Sequence, residues 1–274
     1  MCPTGVYWRV PPVFISSSKE KEINKMQHLT DKVAVVTGGN SGIGKATARL
    51  FAEEGAQVVI TGRRQDMVNQ AVDEIGHGAL GFVGDVANLE HHQKLADMMK
   101  KRFGGLDIYV ANAGIINLTP SDNVTPQEYD QHFATNTRGV FFGVQAVAPL
   151  IRDGGNIIVT SSLAATKVLP DHTIYAGSKA AVAAFAKNWA IEFKPRKIRV
   201  NILSPGPVET AILGKLGVSE ADRPAFEDYM ASLIPAGRMG HPEELARAAL
   251  FLASEAGSFV NGVELHVDGG MALA

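Results

Sequence analysis

Residues 33–51 read VAVVTGGNSGIGKATARLF, and the fold follows from how this stretch changes character along its length. Val33, Val35, Val36 and Thr37 are β-branched and favour extended chain. Glycines at 38, 42 and 44 then break the run. They let the backbone turn tightly, approach a phosphate with no Cβ in the way, and bring the following helix close to the strand. The spacing is GxxxGxG rather than GxGxxG, and no Gly-Lys-Ser/Thr follows, so the P-loop pattern is absent. A strand, a glycine turn and a helix in this order open a dinucleotide-binding unit, with Gly38, Asn40, Ser41, Gly42, Ile43 and Gly44 as its candidate cradle.

The same alternation continues outward. Apolar runs at 33–37, 57–61, 80–84, 108–111, 156–160, 199–203 and 263–267 are strand candidates. The first six are nearly continuous rather than alternating, as expected of strands covered on both faces of a parallel sheet. Helical stretches at about 42–55, 65–75, 88–102, 125–149, 175–193 and 242–253 separate them. Pro242 followed by Glu243 and Glu244 marks the start of the last. The fold class expected is α/β: a single-domain, doubly wound Rossmann fold with a seven-stranded parallel sheet and helices on both faces. The domain should span 29–274, preceded by a disordered N-terminal extension, 1–28, that mixes prolines, serines and charges and lacks the apolar core of a secretory signal. Residues 205–240 interrupt the pattern with Gly, Pro and a set of apolar residues including Ile212, Leu213, Leu216, Phe226, Tyr229, Met230 and Leu233. That segment is the expected substrate lid.

Composition narrows the function. The chain has 274 residues, 46% hydrophobic and 20% charged, enough for one compact domain enclosing a ligand crevice. Its net charge is −2 and its basic residues are scattered, so neither nucleic acid nor an anionic membrane is expected as a partner. The single cysteine, Cys2, excludes an intrachain disulfide framework and fits a cytoplasmic location. No apolar run approaches the roughly 20 residues that span a bilayer. A small molecule is the expected substrate.

The chemistry is carried by Tyr175 and Lys179 in YAGSK, with Ser162 thirteen residues before the tyrosine. Positions i and i+4 share a helix face, so the ammonium can sit beside the phenol and favour its phenolate. A phenol of reference pKa about 10 thereby becomes usable near neutral pH. The eight histidines form no metal signature, and no metal is expected; His91 and His92 are adjacent, and neither HExxH nor a paired CxxC occurs. Ser162 lacks the GxSxG elbow of a hydrolase nucleophile.

TGGNSGIG, Asp85-Val86, NAG at 112–114, Asn136, Ser162, YAGSK and Pro205-Gly206 together resemble the short-chain dehydrogenase/reductase family over about residues 29–274. The resemblance implies hydride exchange between a nicotinamide and a ketone or secondary alcohol. In this picture Tyr175 is the general acid or base, Lys179 tunes it and bonds the nicotinamide ribose, Ser162 bonds the carbonyl oxygen, and Asn136 holds a water linking Lys179 to solvent. Asp85 would meet the adenine, Asn112 would help hold the fourth strand, Val86, Asn112, Ala113 and Gly114 would count among the cofactor-binding residues, and Pro205, Gly206, Val208 and Thr210 would line the nicotinamide and phosphates. Ala111 departs from the family, where many members carry asparagine. Homotetramers built through the two long helices and the last strand are implied as well.

Strand two ends Thr61-Gly62-Arg63-Arg64, without the carboxylate that would bond a ribose 2′-hydroxyl. Arg63 and Arg64 favour NADP(H), while NAD(H) stays open because Asn40 adds no second basic contact. Apolar walls suit an apolar carbonyl better than a heavily hydroxylated sugar. The alternatives are a 3-oxoacyl-carrier-protein reductase, a sugar (glucose) 1-dehydrogenase, and a dinucleotide-binding module without turnover.

Overall fold

In the computed structural model, residues 27–210 and 221–274 are described. Most of the expected N-terminal extension lies outside them, as do Ile212, Leu213, Lys215 and Leu216 of the expected lid. His28, within the range assigned to the extension, bonds Glu54 through its backbone N–H (3.1 Å) and its ring Nδ1 (2.8 Å).

Seven strands, β1 (Val33–Thr37), β2 (Gln57–Gly62), β3 (Leu80–Val83), β4 (Leu106–Ala111), β5 (Ile151–Thr160), β6 (Arg199–Pro205) and β7 (Glu264–Val267), form one parallel sheet in the order β3-β2-β1-β4-β5-β6-β7. Alternate side chains of each central strand enter opposite cores, because successive Cβ atoms point to opposite faces. Val35, Val59, Tyr109, Ile157 and Val200 join one core under α3 (Leu89–Phe103), α5 (Gly139–Val147) and α6 (Thr173–Glu192). Ala34, Val36, Ile60, Val110 and Ile158 join the other, under α1 (Gly42–Glu53), α2 (Gln65–Ile75) and α8 (Pro242–Ala253). Burial on both faces explains why these strands read as unbroken apolar runs.

Two elements depart from the sequence reading. The helix expected over 125–149 begins as α4 (Pro126–Phe133), widens to a π-helical turn at Ala134–Arg138, and resumes as α5. Such turns arise where a backbone register is interrupted to place a side chain, and this one contains Asn136. The segment 205–240 also contains a helix, α7 (Arg223–Leu233), rather than loop alone. Its apolar residues are spaced for one side to face the protein, a period that the surrounding Gly and Pro punctuation obscured.

The chain order reverses between β1 and β4, which are neighbours in the sheet. In an open parallel sheet the crevice for a ligand forms at this switch point, beyond the carboxyl ends of the strands. The glycine turn after β1 and the NAG turn after β4 both end there.

Candidate active site

A hydrogen-bonded clamp closes the switch point. The Thr37 hydroxyl donates to the Val110 carbonyl (3.3 Å) and accepts from the backbone N–H groups of Asn112 (2.9 Å) and Ala113 (3.1 Å). The Asn112 amide returns a bond to the Thr37 carbonyl (3.0 Å). These bonds fix the ends of β1 and β4 against each other. Gly38 sits at φ 65° and Gly42 at φ 49°, in the left-handed region. A Cβ on Gly44 would lie 2.3 Å from the Gly38 carbonyl oxygen and 2.5 Å from Asn112 Nδ2. The turn is thus closed to any side chain at 44.

The cradle fits a pyrophosphate. Helix α1 starts at Ser41 without a side-chain cap and carries no acidic residue in its first turn, so its initial N–H groups face the crevice uncompensated. All the cradle residues line one cavity of about 970 Å³, together with Arg63, Arg64, Asp85, Val86, Asn112, Ala113 and Gly114. Arg63 lies 4.0 Å from the Asp85 carboxylate, and Asp85 also accepts from the Ala87 N–H (2.9 Å).

Ser162, Tyr175, Lys179, Pro205, Gly206, Val208 and Thr210 line the other part of the same cavity. Lys179 Nζ is buried, donates to the Thr160 carbonyl (2.9 Å), and sits 5.9 Å from the Tyr175 ring centroid. Burial pushes the ammonium down to about 8. Tyr175 keeps part of its surface open to the cavity yet lies among enough protein that burial pushes its phenol up; a hydrogen bond with Ser162 pulls it partly back. The expectation was a phenol lowered by the lysine. Among this chain's own groups desolvation is the larger influence on the phenol, and the Ser162 hydrogen bond the smaller, opposing one.

Asn136 is the exception among the expected site residues, since it does not line this cavity and is fully buried. Its Oδ1 accepts from the Ile115 N–H (2.8 Å), and its Nδ2 donates to the Ile115 carbonyl (2.9 Å) and to Ser178 Oγ (3.0 Å). Ser178 Oγ in turn donates to the Tyr175 carbonyl (2.7 Å). The side chain therefore ties the loop after β4 to the helix that carries Tyr175 and Lys179. The neighbouring Ser161 donates to the Lys179 carbonyl (3.0 Å) and takes no place in the cavity's chemistry beyond that support.

Sequence reading missed part of the far wall. Met271, from the segment after β7, lines the cavity beside Leu163, Leu169, Phe226 and Met230. Met271, Ile234, Met239 and Leu163 form a small core of their own. Asp268 anchors this tail by accepting from the N–H groups of Gly270 (2.9 Å) and Ala272 (2.8 Å). Nothing in the local pattern of VDGGMALA announces a wall residue. His172 lies there too, and its ring meets that of Tyr175 edge-on at 6.3 Å between centroids.

A pyrophosphate cradle at the switch point, joined by one cavity to a Ser-Tyr-Lys cluster, defines a dinucleotide-dependent oxidoreductase. The family model described as Enoyl-(Acyl carrier protein) reductase matches residues 38–272. The versicolorin reductase stcU of Emericella nidulans is 38% identical over 88% of this chain and 96% of its own. The NAD-dependent glycerol dehydrogenase of Listeria innocua is 37% identical over 92% and 98%. The solved structure of a short chain dehydrogenase from Burkholderia cenocepacia J2315 in complex with NADP superimposes with a TM-score of 0.82, at 33% identity, over 90% of this chain and 100% of that one. The chain belongs to the short-chain dehydrogenase/reductase family, and it exchanges hydride between a nicotinamide dinucleotide and a ketone or secondary alcohol. Among the described residues no helix is long and apolar enough to cross a membrane.

Proposed function

We propose that the protein reduces a fairly apolar ketone at the expense of NADPH, with Tyr175 as the proton donor. The observation that carries this reading is the convergence of Ser162, Tyr175 and Lys179 on one cavity whose remaining far wall is mostly aliphatic and aromatic. When bound along this cavity, NADPH would supply the hydride that the carbonyl carbon accepts. Tyr175 donates its phenolic proton to the carbonyl oxygen, and a phenol held above its usual value is protonated for that task across the neutral range. Ser162 donates a hydrogen bond to the same oxygen as negative charge develops there. Lys179 places positive charge near the tyrosine ring and steadies the phenolate left behind. Asn136 positions the helix that carries Tyr175 and Lys179 through Ser178.

Arg63 and Arg64 support NADP(H), since a guanidinium fork matches a 2′-phosphate. A second reading, dual use of NAD(H), is favoured by the Arg63 contact with Asp85, which shares that charge. The 3-oxoacyl-carrier-protein alternative loses ground at the lid. Arg223 pairs with Glu227 (2.7 Å) and Arg238 makes a two-pronged bond with Glu244 (2.7 and 2.8 Å), so both cations are already engaged. The apolar far wall offers few partners to a sugar's hydroxyls, although the glycerol dehydrogenase relative keeps a polyol in view.

A homotetramer is supported by apolar surface in the places where the family assembles. Phe251 on α8, with Phe259 and Val263 ahead of β7, is exposed, and Phe133, Phe141, Phe142 and Phe185 line a shallow apolar hollow between the two long helical stretches. A cytoplasmic location rests on the lone cysteine. The test is reduced-nicotinamide absorbance with NADPH and NADH across aryl ketones, cyclic diketones, 3-oxoacyl thioesters and sugar lactones. Tyr175→Phe should lower turnover by about 10²–10⁴-fold while leaving dinucleotide affinity within about threefold. Dinucleotide binding with no turnover on any class would establish the binding-module reading instead.

A further inference from the structure

We propose that His172 is a substrate-specificity residue, its Nε2 accepting a hydrogen bond from a hydroxyl on the substrate, so that the preferred substrate is a hydroxylated aromatic or cyclic ketone. The inference rests on the reductase reading and deepens it.

Three observations carry it. The first is the state of the ring. His172 Nδ1 bonds the Pro170 carbonyl, and a carbonyl can only accept, so Nδ1 carries the proton of the neutral imidazole. Nε2, on the distal edge, is then a lone-pair acceptor, and it has no hydrogen-bond partner among the described residues.

The second is how firmly the ring is presented. Asp171 adopts φ 61°, a backbone conformation uncommon outside glycine, immediately before His172. Such a turn persists where its surroundings hold it. Here the loop after β4 does so: the Thr119 N–H donates to the Asp171 carbonyl (3.1 Å), and the hydroxyls of Ser121 and Thr173 share a bond of 2.9 Å. The imidazole is thus held from its own turn and from a second loop, with its donor nitrogen committed.

The third is where it lies. His172 lines the cavity three residues before Tyr175, with its ring edge-on to the tyrosine ring. The same cavity is lined by Ile115, Leu118, Leu163, Leu169, Met230 and Met271. Ser162 and Tyr175 are engaged with the carbonyl under the proposed mechanism, and Tyr229 is largely exposed on α7. An acceptor nitrogen among these apolar side chains favours a substrate that carries a matching hydroxyl over one that lacks it.

The experiment compares kcat/KM for NADPH-dependent reduction of 2-tetralone and of its counterparts bearing one hydroxyl on the aromatic ring. Wild-type protein should prefer at least one hydroxylated isomer by about tenfold or more. His172→Phe, which keeps a ring of similar size without the nitrogen, should lose that preference, so that the ratio of kcat/KM between hydroxylated and plain 2-tetralone falls toward one whatever the variant's absolute rate. His172→Gln, which restores an acceptor, should regain part of the preference, a result that a merely structural role for the ring would not produce. Equal ratios for wild type and His172→Phe on every isomer would overturn the inference and leave the reductase reading standing. Absence of turnover on any ketone of the wider panel would overturn both.

Discussion

The two ends of the cavity are built by different means. At the cofactor end the walls are backbone: the glycine turn, the Thr37–Asn112 clamp and the uncapped start of α1, all set by strand ends that the sheet registers. At the substrate end the walls are side chains borrowed from the turn before α6, from α7 and from the tail after β7. Backbone walls tolerate almost no change, because a Cβ has nowhere to go; side-chain walls can be exchanged one at a time. A family that keeps its hydride chemistry while changing substrates needs this division.

The sharpest way to break the comparison is to place one methyl group in the backbone wall. Gly44→Ala drives a Cβ to 2.3 Å from the Gly38 carbonyl oxygen and 2.5 Å from Asn112 Nδ2, an atom of the clamp. Dinucleotide affinity should fall at least tenfold by titration calorimetry, and the overpacking should cost about 1–3 kcal/mol in chemical denaturation. Wild-type affinity in this variant would mean that the turn is as forgiving as the far wall.

Arg63 and Arg64 stand at the edge of the same end but act through side chains, so their loss should be selective rather than general. The double change to alanine should raise KM for NADPH by about tenfold and move KM for NADH by no more than about twofold. A uniform change in both would assign the arginines to adenine stacking. At the opposite wall Met230→Ala should alter ketone KM by about threefold to tenfold and leave both nucleotide constants alone. A parallel loss of nucleotide affinity would show that the two ends are one mechanical unit.

The same division governs what could be read from the sequence. Runs such as VAVVT and NIIVT are legible because burial on both faces leaves them mostly apolar and β-branched, and the glycine turn is legible because glycine best satisfies its geometry. Tyr175, Lys179 and Ser162 could be placed by spacing, since a helix fixes i and i+4. Met271 and His172 could not: each reaches the cavity by a turn whose direction depends on partners far along the chain, Asp268 with its own tail in one case and Thr119 in the other. The π-helical turn at Asn136 was hidden for a similar reason, its bonds running to Ile115 and Ser178 rather than to neighbours in sequence. Helix α7 was passed over because its flanks look like loop.

Lys179 lies on the seam between the two ends, and its titration offers a test of how dry that seam is. Its folded value is about 8 against an ordinary 10.5, so burial disfavours the charged form. Between those values the unfolded chain holds a proton that the folded chain has released. The unfolded state then binds more protons, and folding stability attributable to this group rises as pH increases from about 8. Tyr175 acts in the opposite sense, since its raised phenol keeps a proton that the unfolded chain gives up above pH 10. The clean window is therefore pH 8 to 10. Urea denaturation of wild type and Lys179→Met across it should show wild type gaining on the variant by about 2 kcal/mol, because this window covers most of the displacement at about 1.4 kcal/mol per unit. Parallel curves would mean that the lysine is solvated through the cavity, and that water already reaches the point where the phenol must be kept protonated.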